Sequence, residues 1–186
     1  MSARMKGFIA VAVLLVTAAP AAAAGQPVSG PGFATQFPAG WQNAKNSSGG
    51  ITTFALSTPG TTIDEVSIPS AGGIAVTIGT MSTRTFRRRF HRSAPTRPIA
   101  LARLLVGYPR AARNVKSKGL HSTRLGHRRA ARAGFTYTYQ GRAIVQRDVV
   151  ARHGNRLYWI ELDVDQANVS AGEAARRTVV GGWRWR

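Results

Sequence analysis

Between residues 135 and 164 three short runs divided by turn residues, one alternating, one β-branched and one with two distinct faces, read as an antiparallel meander. Phe135, Tyr137 and Tyr139 alternate with Thr136, Thr138 and Gln140, which makes a strand buried on one face. Gln140-Gly141 supplies a tight turn into a second strand over 143–151, rich in the β-branched Ile144, Val145, Val149 and Val150, and His153-Gly154-Asn155 reverses the chain again. In the third strand Tyr158, Ile160, Leu162 and Val164 share one face, and Leu157, Trp159, Glu161 and Asp163 the other.

Elsewhere the pattern is more broken. Residues 33–37 and 51–56 read as strands, with turns at Pro38-Ala39-Gly40 and at 47–50, and the simplest pairing is a hairpin between them. Residues 58–73 read as a long loop, 74–80 as a strand and 120–125 as another strand, ending at a Gly126-His127 turn. Leu101, Leu104, Leu105 and Tyr108 recur at helical spacing, so a helix is predicted over 98–108, opened by Pro98 and closed by Gly107 and Pro109. Ser170 and Glu173 have capping-box spacing for a helix over 171–180, and Trp183 and Trp185 then form a final strand that returns to a sheet edge with its indoles inward. The fold class is therefore α+β, a central antiparallel sheet flanked by helices, with Leu101, Leu104, Leu105, Tyr137, Ile160 and Val179 in the core.

The first 24 residues stand apart. Arg4 and Lys6 precede an apolar run, and Ala22-Ala23-Ala24 offers a small-residue cleavage site, so this stretch reads as a secretory signal peptide. Residues 25–32, rich in Gly, Pro and Ser, then read as a flexible mature N-terminus, and 33–186 as one domain. With no cysteine in the chain there is neither a disulfide nor a lipidated N-terminal Cys, so the expected location is extracytoplasmic and not that of a lipoprotein.

Four stretches carry a family likeness: GFATQFPAGW at 32–41, RLGHRRA at 124–130, FTYTYQGRAIVQRDVV at 135–150 and AARRTVVGGWRW at 174–185. Together they resemble the PsbP-like (Mog/PsbP/DcrB) α/β sandwich, and in particular small exported proteins of actinobacteria that share it. The resemblance implies a central antiparallel sheet flanked by helices and a binding or accessory role, as in an extrinsic photosystem subunit and a Ran-binding factor. The chain departs from that pattern in its Arg87-Arg88-Arg89 run, and no functional residue carries over.

Catalytic signatures are sparse. The chain has no G-x-S-x-G and four histidines; His153 with Asp148 comes nearest to a dyad, and its Gly-Asn turn makes a solvated loop histidine the better reading. His121 and His127 have no neighbouring carboxylate to complete a metal set. Glu161, Asp163 and Asp165 alternate on one strand, and in so basic a chain they read as cross-strand partners for arginines such as Arg142 and Arg147. No enzyme activity, cofactor or metal is expected.

Charge is the feature above background. The formal net charge is +19, and without residues 1–24 there remain 24 basic against seven acidic side chains. Residues 84–132 hold 15 Lys or Arg and no acid, whereas ordinary basic faces are diluted with carboxylates. Arg84, Arg87, Arg88, Arg89, Arg92, Arg128, Arg129 and Arg132 are the candidate anion-binding residues. The expected function is that of an exported, non-enzymatic accessory protein of the cell envelope that binds an anionic polymer or membrane surface. The rival readings are an extracytoplasmic hydrolase with an unrecognised site and a subunit of an envelope complex. Phe86 and Phe90 sit at helical spacing within the block and read as core, and sequence-specific nucleic-acid binding is not expected.

Overall fold

The computed structural model describes residues 25–186; the predicted signal peptide, residues 1–24, lies outside the described residues. Within them the chain runs β1 (Gln26–Gly30), β2 (Phe33–Phe37), β3 (Gln42–Ser48), β4 (Ile51–Ser57), β5 (Ile74–Ser82), α1 (Thr83–Phe90) and α2 (Pro98–Leu105). It continues through β6 (Arg113–Leu125), β7 (Arg128–Tyr139), β8 (Arg142–His153), β9 (Arg156–Asp165), α3 (Val169–Gly181) and β10 (Arg184–Trp185). One sheet has seven antiparallel strands in the order β3-β4-β5-β9-β8-β7-β6, and a second has three in the order β1-β2-β10. The α+β class stands as expected, with helices on both faces of the larger sheet.

The meander β7-β8-β9 is the frame. Its first turn puts Gln140 at φ +49° and Gly141 at φ +78°, the left-handed pair that matches the twist of a two-residue hairpin. Because β9 lies in mid-sheet, both of its faces are covered. Tyr158, Ile160, Leu162 and Val164 pack with Leu56, Val76 and Ile78 beneath α3 and the small sheet, which contribute Val179, Phe33, Phe37 and Trp183. Trp183 stacks on Phe33 at 4.5 Å between ring centroids. On the other face Leu157 and Val150 pack with Met81, Ala131, Phe86 of α1, and Leu101 and Leu104 of α2. Trp159 lies so close over β5 that a Cβ on Gly79 would fall 1.9 Å from its ring, which fixes glycine there.

Several expectations need correction. Residues 25–32 hold a strand, β1, paired along its length with β2. The segments 33–37 and 51–56 do not pair with each other: β2 lies in the small sheet and β4 pairs with β3, whose polar sequence QNAKNSS gives no apolar alternation because it is an exposed edge. The helix expected over 98–108 ends at Leu105, since Val106 is already extended at ψ 138°. Leu105 is accordingly half-buried, while Leu101, Leu104, Tyr137, Ile160 and Val179 are buried as expected. The capping box does not form. A 3₁₀ turn, Gln166–Asn168, runs straight into α3, so Val169 is already helical, and Glu173 turns instead to two arginines. The last strand does return to a sheet edge, that of the small sheet beside β2.

α1 was not anticipated. Ser82 accepts the Thr85 N–H at 2.9 Å as its N-cap, His91 closes it in the left-handed region at φ +52°, and Phe86 and Phe90 stack on each other at 4.4 Å. Those two rings belong to the core and its margin, not to a stacking platform.

Candidate functional site

The strand register gives the large sheet two unlike ends. At one, β5 passes through Ser82 into α1, and the β3-β4, β6-β7 and β8-β9 turns lie alongside. At the other are the 58–73 loop, the 140–141 turn and the start of α3. None of the seven acids lies at the first end: Asp64 and Glu65 are in the loop, Asp165 ends β9 at the far side, Asp148, Glu161 and Asp163 are in mid-strand, and Glu173 reaches mid-strand Arg147.

That first end gathers most of the arginines. Arg84, Arg87, Arg88 and Arg89 stand exposed on α1, and Arg92 is exposed just beyond it. The hairpin β6-β7 turns at Gly126-His127, so Leu125 pairs with Arg128 and Arg124 with Arg129. Directly opposed residues of an antiparallel pair project to the same face, which sets two guanidinium-bearing side chains side by side. Their face is that of α2, because Ala131 packs in the α1-α2 cluster while Ala130 packs with the α3 face. Arg128 and Arg132 alternate to the opposite face. The eight predicted arginines therefore divide between the two faces: five on α1 and its exit and Arg129 on β7 belong to the α1-α2 face, and Arg128 and Arg132 to the α3 face.

Between the start of α2 and the β6-β7 hairpin lies an open groove of about 560 Å³. Its basic lining is Arg97, Arg124 and Arg129, all exposed, with Ser122 beside them, Pro98 and Ile99 as apolar wall, and the strand segments at Thr123 and Ala130, whose side chains face the other way, as floor. Arg97 and Arg124 were missed from sequence. A signal for Arg124 was present, since a two-residue turn at Gly126-His127 itself dictates the 124/129 pairing.

Arg142, Arg147 and Arg176 take acid partners away from this end. Arg142 forks onto Asp165, Nε and Nη2 donating at 2.9 Å, and donates from Nη1 to the Pro69 carbonyl at 2.8 Å, as the alternation of acids suggested. Arg147 does not pair with the β9 acids. It donates to Glu173 at 3.1 Å, and Glu173 also accepts from Arg176. Burial alone would raise the Asp165 carboxyl, but the Arg142 hydrogen bonds and charge together with the Gly72 amide hold it below the ordinary carboxylate range.

Asp148, Glu161 and Asp163 are buried in mid-sheet. Gln146 donates from Nε2 to both Asp148 oxygens and to the Gly107 carbonyl, and Tyr137 donates to Asp163 at 3.2 Å. Burial, with Asp163 and Glu161 beside it, pushes the Tyr137 phenol well up, so it stays a neutral donor. His153 packs its ring on Trp185 at 4.9 Å, and His121 contacts the Lys118 carbonyl. Among the described residues no group of three His, Cys, Asp or Glu is arranged to hold a metal ion.

Comparison of the fold with solved structures decides its type. Cyanobacterial PsbP (CyanoP) of Synechocystis superposes at a TM-score of 0.54 with 10% identity, over 92% of this chain and 99% of that one. LpqN of Mycobacterium tuberculosis, a protein involved in cell envelope biogenesis, superposes at 0.53 with 14% identity, over 86% of this chain and 88% of that one. The fold is PsbP-like. In sequence, no protein-family profile matches the chain and no curated protein matches it. The PsbP-like core, the meander with helices on its two faces, is thus the scaffold that carries the basic end.

Proposed function

We propose that the protein is an exported, non-enzymatic accessory protein of the cell envelope that binds phosphate-bearing anions through the basic end of its large sheet. One observation carries this reading: the fold sorts its side-chain charges, with α1, the 91–97 connector and the β6-β7 turn at an end that holds no acidic side chain. An exposed surface that served only solubility would mix the signs and spare itself the repulsion. The signal-like N-terminal stretch supplies the export, and the envelope role of LpqN, a neighbour in fold, is in keeping with it. No described helix is long and apolar enough to cross a membrane, so contact with an anionic surface would be peripheral. Docking to a protein through an apolar face has less support, since Tyr108 is the exposed large hydrophobic among the described residues.

The test is retention of the purified protein on anionic vesicles and on an anionic polymer across a salt series. If about six phosphates are contacted, affinity falls on the order of a thousandfold between about 50 and 200 mM salt. A variant with Arg84, Arg87, Arg88 and Arg92 changed to Gln should leave both supports at lower salt. Equal retention of variant and parent, or retention indifferent to salt, reduces the block to a solvated face.

A further inference from the structure

We infer that the groove between α2 and the β6-β7 hairpin is a discrete binding site for a phosphoryl ester of a polyol, a phosphate group whose carbon skeleton lies along the groove wall. The inference rests on the anion-binding reading above and goes further, from a diffuse basic surface to one site with one ligand class.

Like charges directly opposite on neighbouring strands destabilise a sheet, and Arg124 and Arg129 are in that relation by register, on a two-residue turn that lets neither slide. A third arginine, Arg97, lines the same groove from another element, the start of α2. Three cations around one concavity with no carboxylate among its lining residues repel one another unless an anion joins them. An anion bound there turns the repulsion into three attractions.

The donors discriminate among anions. Guanidinium forks match the paired oxygens of phosphate or carboxylate, but three of them exceed what a single-charged carboxylate can neutralise. A phosphomonoester carries close to two charges at neutral pH and three acceptor oxygens. Ser122, opposed to Ala131 and so on the α2 face, adds a hydroxyl donor beside Arg124. Arg97 is the N-cap residue of α2 without a side-chain capping bond and Pro98 follows it, which leaves the first-turn amide of Ile99, a lining residue, without a helical acceptor.

Size and wall set the rest of the ligand. A volume of about 560 Å³ falls in the range of small-molecule sites and exceeds what one phosphoryl group needs. Pro98 and Ile99 give the surplus space an apolar side, suited to the C–H edge of a short polyol. No aromatic ring lines the groove, so a nucleotide base would find no stacking partner.

Calorimetric titration of the purified protein with glycerol phosphate, and with inorganic phosphate and acetate as references, tests the site. The expected result is saturable one-to-one binding of glycerol phosphate, tighter than phosphate and much tighter than acetate. Arg124→Gln and Arg129→Gln should each weaken it about tenfold, a charge-assisted hydrogen bond's worth. Arg124→Lys, which keeps the charge and loses the fork, should weaken it severalfold, a loss that a merely electrostatic surface would not show. The Arg84, Arg87, Arg88, Arg92 variant should bind glycerol phosphate within about twofold of the parent, since those residues lie outside the groove, and affinity should fall as the monoester protonates below about pH 6.

The source of the phosphate is read on vesicles containing phosphatidic acid. If Arg124→Gln also loses retention there, the site takes a lipid headgroup; if only glycerol phosphate binding is lost, the ligand belongs to a soluble or wall-borne ester. Both outcomes uphold the site. Absence of saturable binding, an Arg124→Lys variant equal to the parent, or equal losses from groove and α1 variants overturns it. Salt-sensitive vesicle retention without glycerol phosphate binding overturns the groove alone and leaves the basic-end reading standing, whereas loss of both removes the two together.

Discussion

At the loop end of the large sheet Arg142 is held by both oxygens of Asp165 and by the Pro69 carbonyl, and Asp165 in turn accepts the Gly72 amide. At the other end Arg124 faces Arg129, and Arg152 spends its donors on the carbonyls of Ala94 and Gly154. The same side chain thus serves two ends in different ways. In the first case the guanidinium is satisfied within the fold and ties the 58–73 loop to the strands, so its contribution is to stability. In the second the charge is left facing outward and in company, a cost to the folded state that binding can offset. Function is to be sought where arginine is not used for folding.

The largest effect expected is from the element that walls the groove. Leu101 is fully buried between α2 and the sheet, and Leu101→Ala should cost about 2–5 kcal/mol in urea unfolding. Because α2 carries Arg97, the same change should loosen the groove and weaken anion binding, whereas the Arg142–Asp165 pair at the loop end should stay intact. A cost near zero would mean that α2 is not anchored as described and that the contrast between the ends has no structural basis on the helix side.

How far this contrast was legible in the sequence depends on the element. The meander was legible because 135–139 alternate, β8 is rich in β-branched residues, β9 carries two apolar faces, and the chain turns at Gln140-Gly141 and Gly154. β3 and most of β6 were not, since both are edge strands whose exposed residues carry no apolar signal, and β6 is broken by register shifts near Asn114 and Gly119. α1 escaped notice because its three consecutive arginines mask a short apolar stripe, Phe86 and Phe90, although Ser82 was a readable cap. The basic block itself was plain from composition. What composition does not contain is direction: strand register, not composition, sets Arg124 beside Arg129 on the α2 side and turns Arg128 and Arg132 to the α3 side, and the packing of α2 brings Arg97 to the same groove.

A smaller effect, and one that sharpens the contrast, is expected at the loop end. Asp165→Asn removes the ion pair with Arg142 and should cost about 1–2 kcal/mol at neutral pH, with anion retention unchanged or slightly raised. The carboxyl is held below its ordinary value near 3.8, so in the folded state it stays ionised where the unfolded chain would take up a proton. Its contribution is therefore fully present above that ordinary range and is lost as pH falls through it toward the lower folded value. Parent and Asp165→Asn stabilities should converge in acid, between roughly pH 5 and 2. A difference that persists unchanged to pH 2 would show that the ion pair is not what Asp165 supplies.

The smallest effect is the one that separates the ends most clearly. Arg124→Gln removes one of two like charges held opposite each other by register, with no acid partner to strand at that end of the sheet. Its stability change should lie within about 0.5 kcal/mol of zero, and at low salt its sign should be favourable, because the variant relieves repulsion that the parent must carry. Added salt screens that repulsion, so the small advantage should shrink as ionic strength rises toward roughly 1 M. Saturating glycerol phosphate should reverse the order, since a ligand that binds the folded parent better than the variant stabilises the parent more. Thermal melts of the two proteins at low salt, at high salt and with ligand read all three signs in one series. If Arg124→Gln instead destabilises the protein under every condition, then Arg124 is being used for folding as Arg142 is, and the two ends of the sheet do not differ in the way their charges suggest.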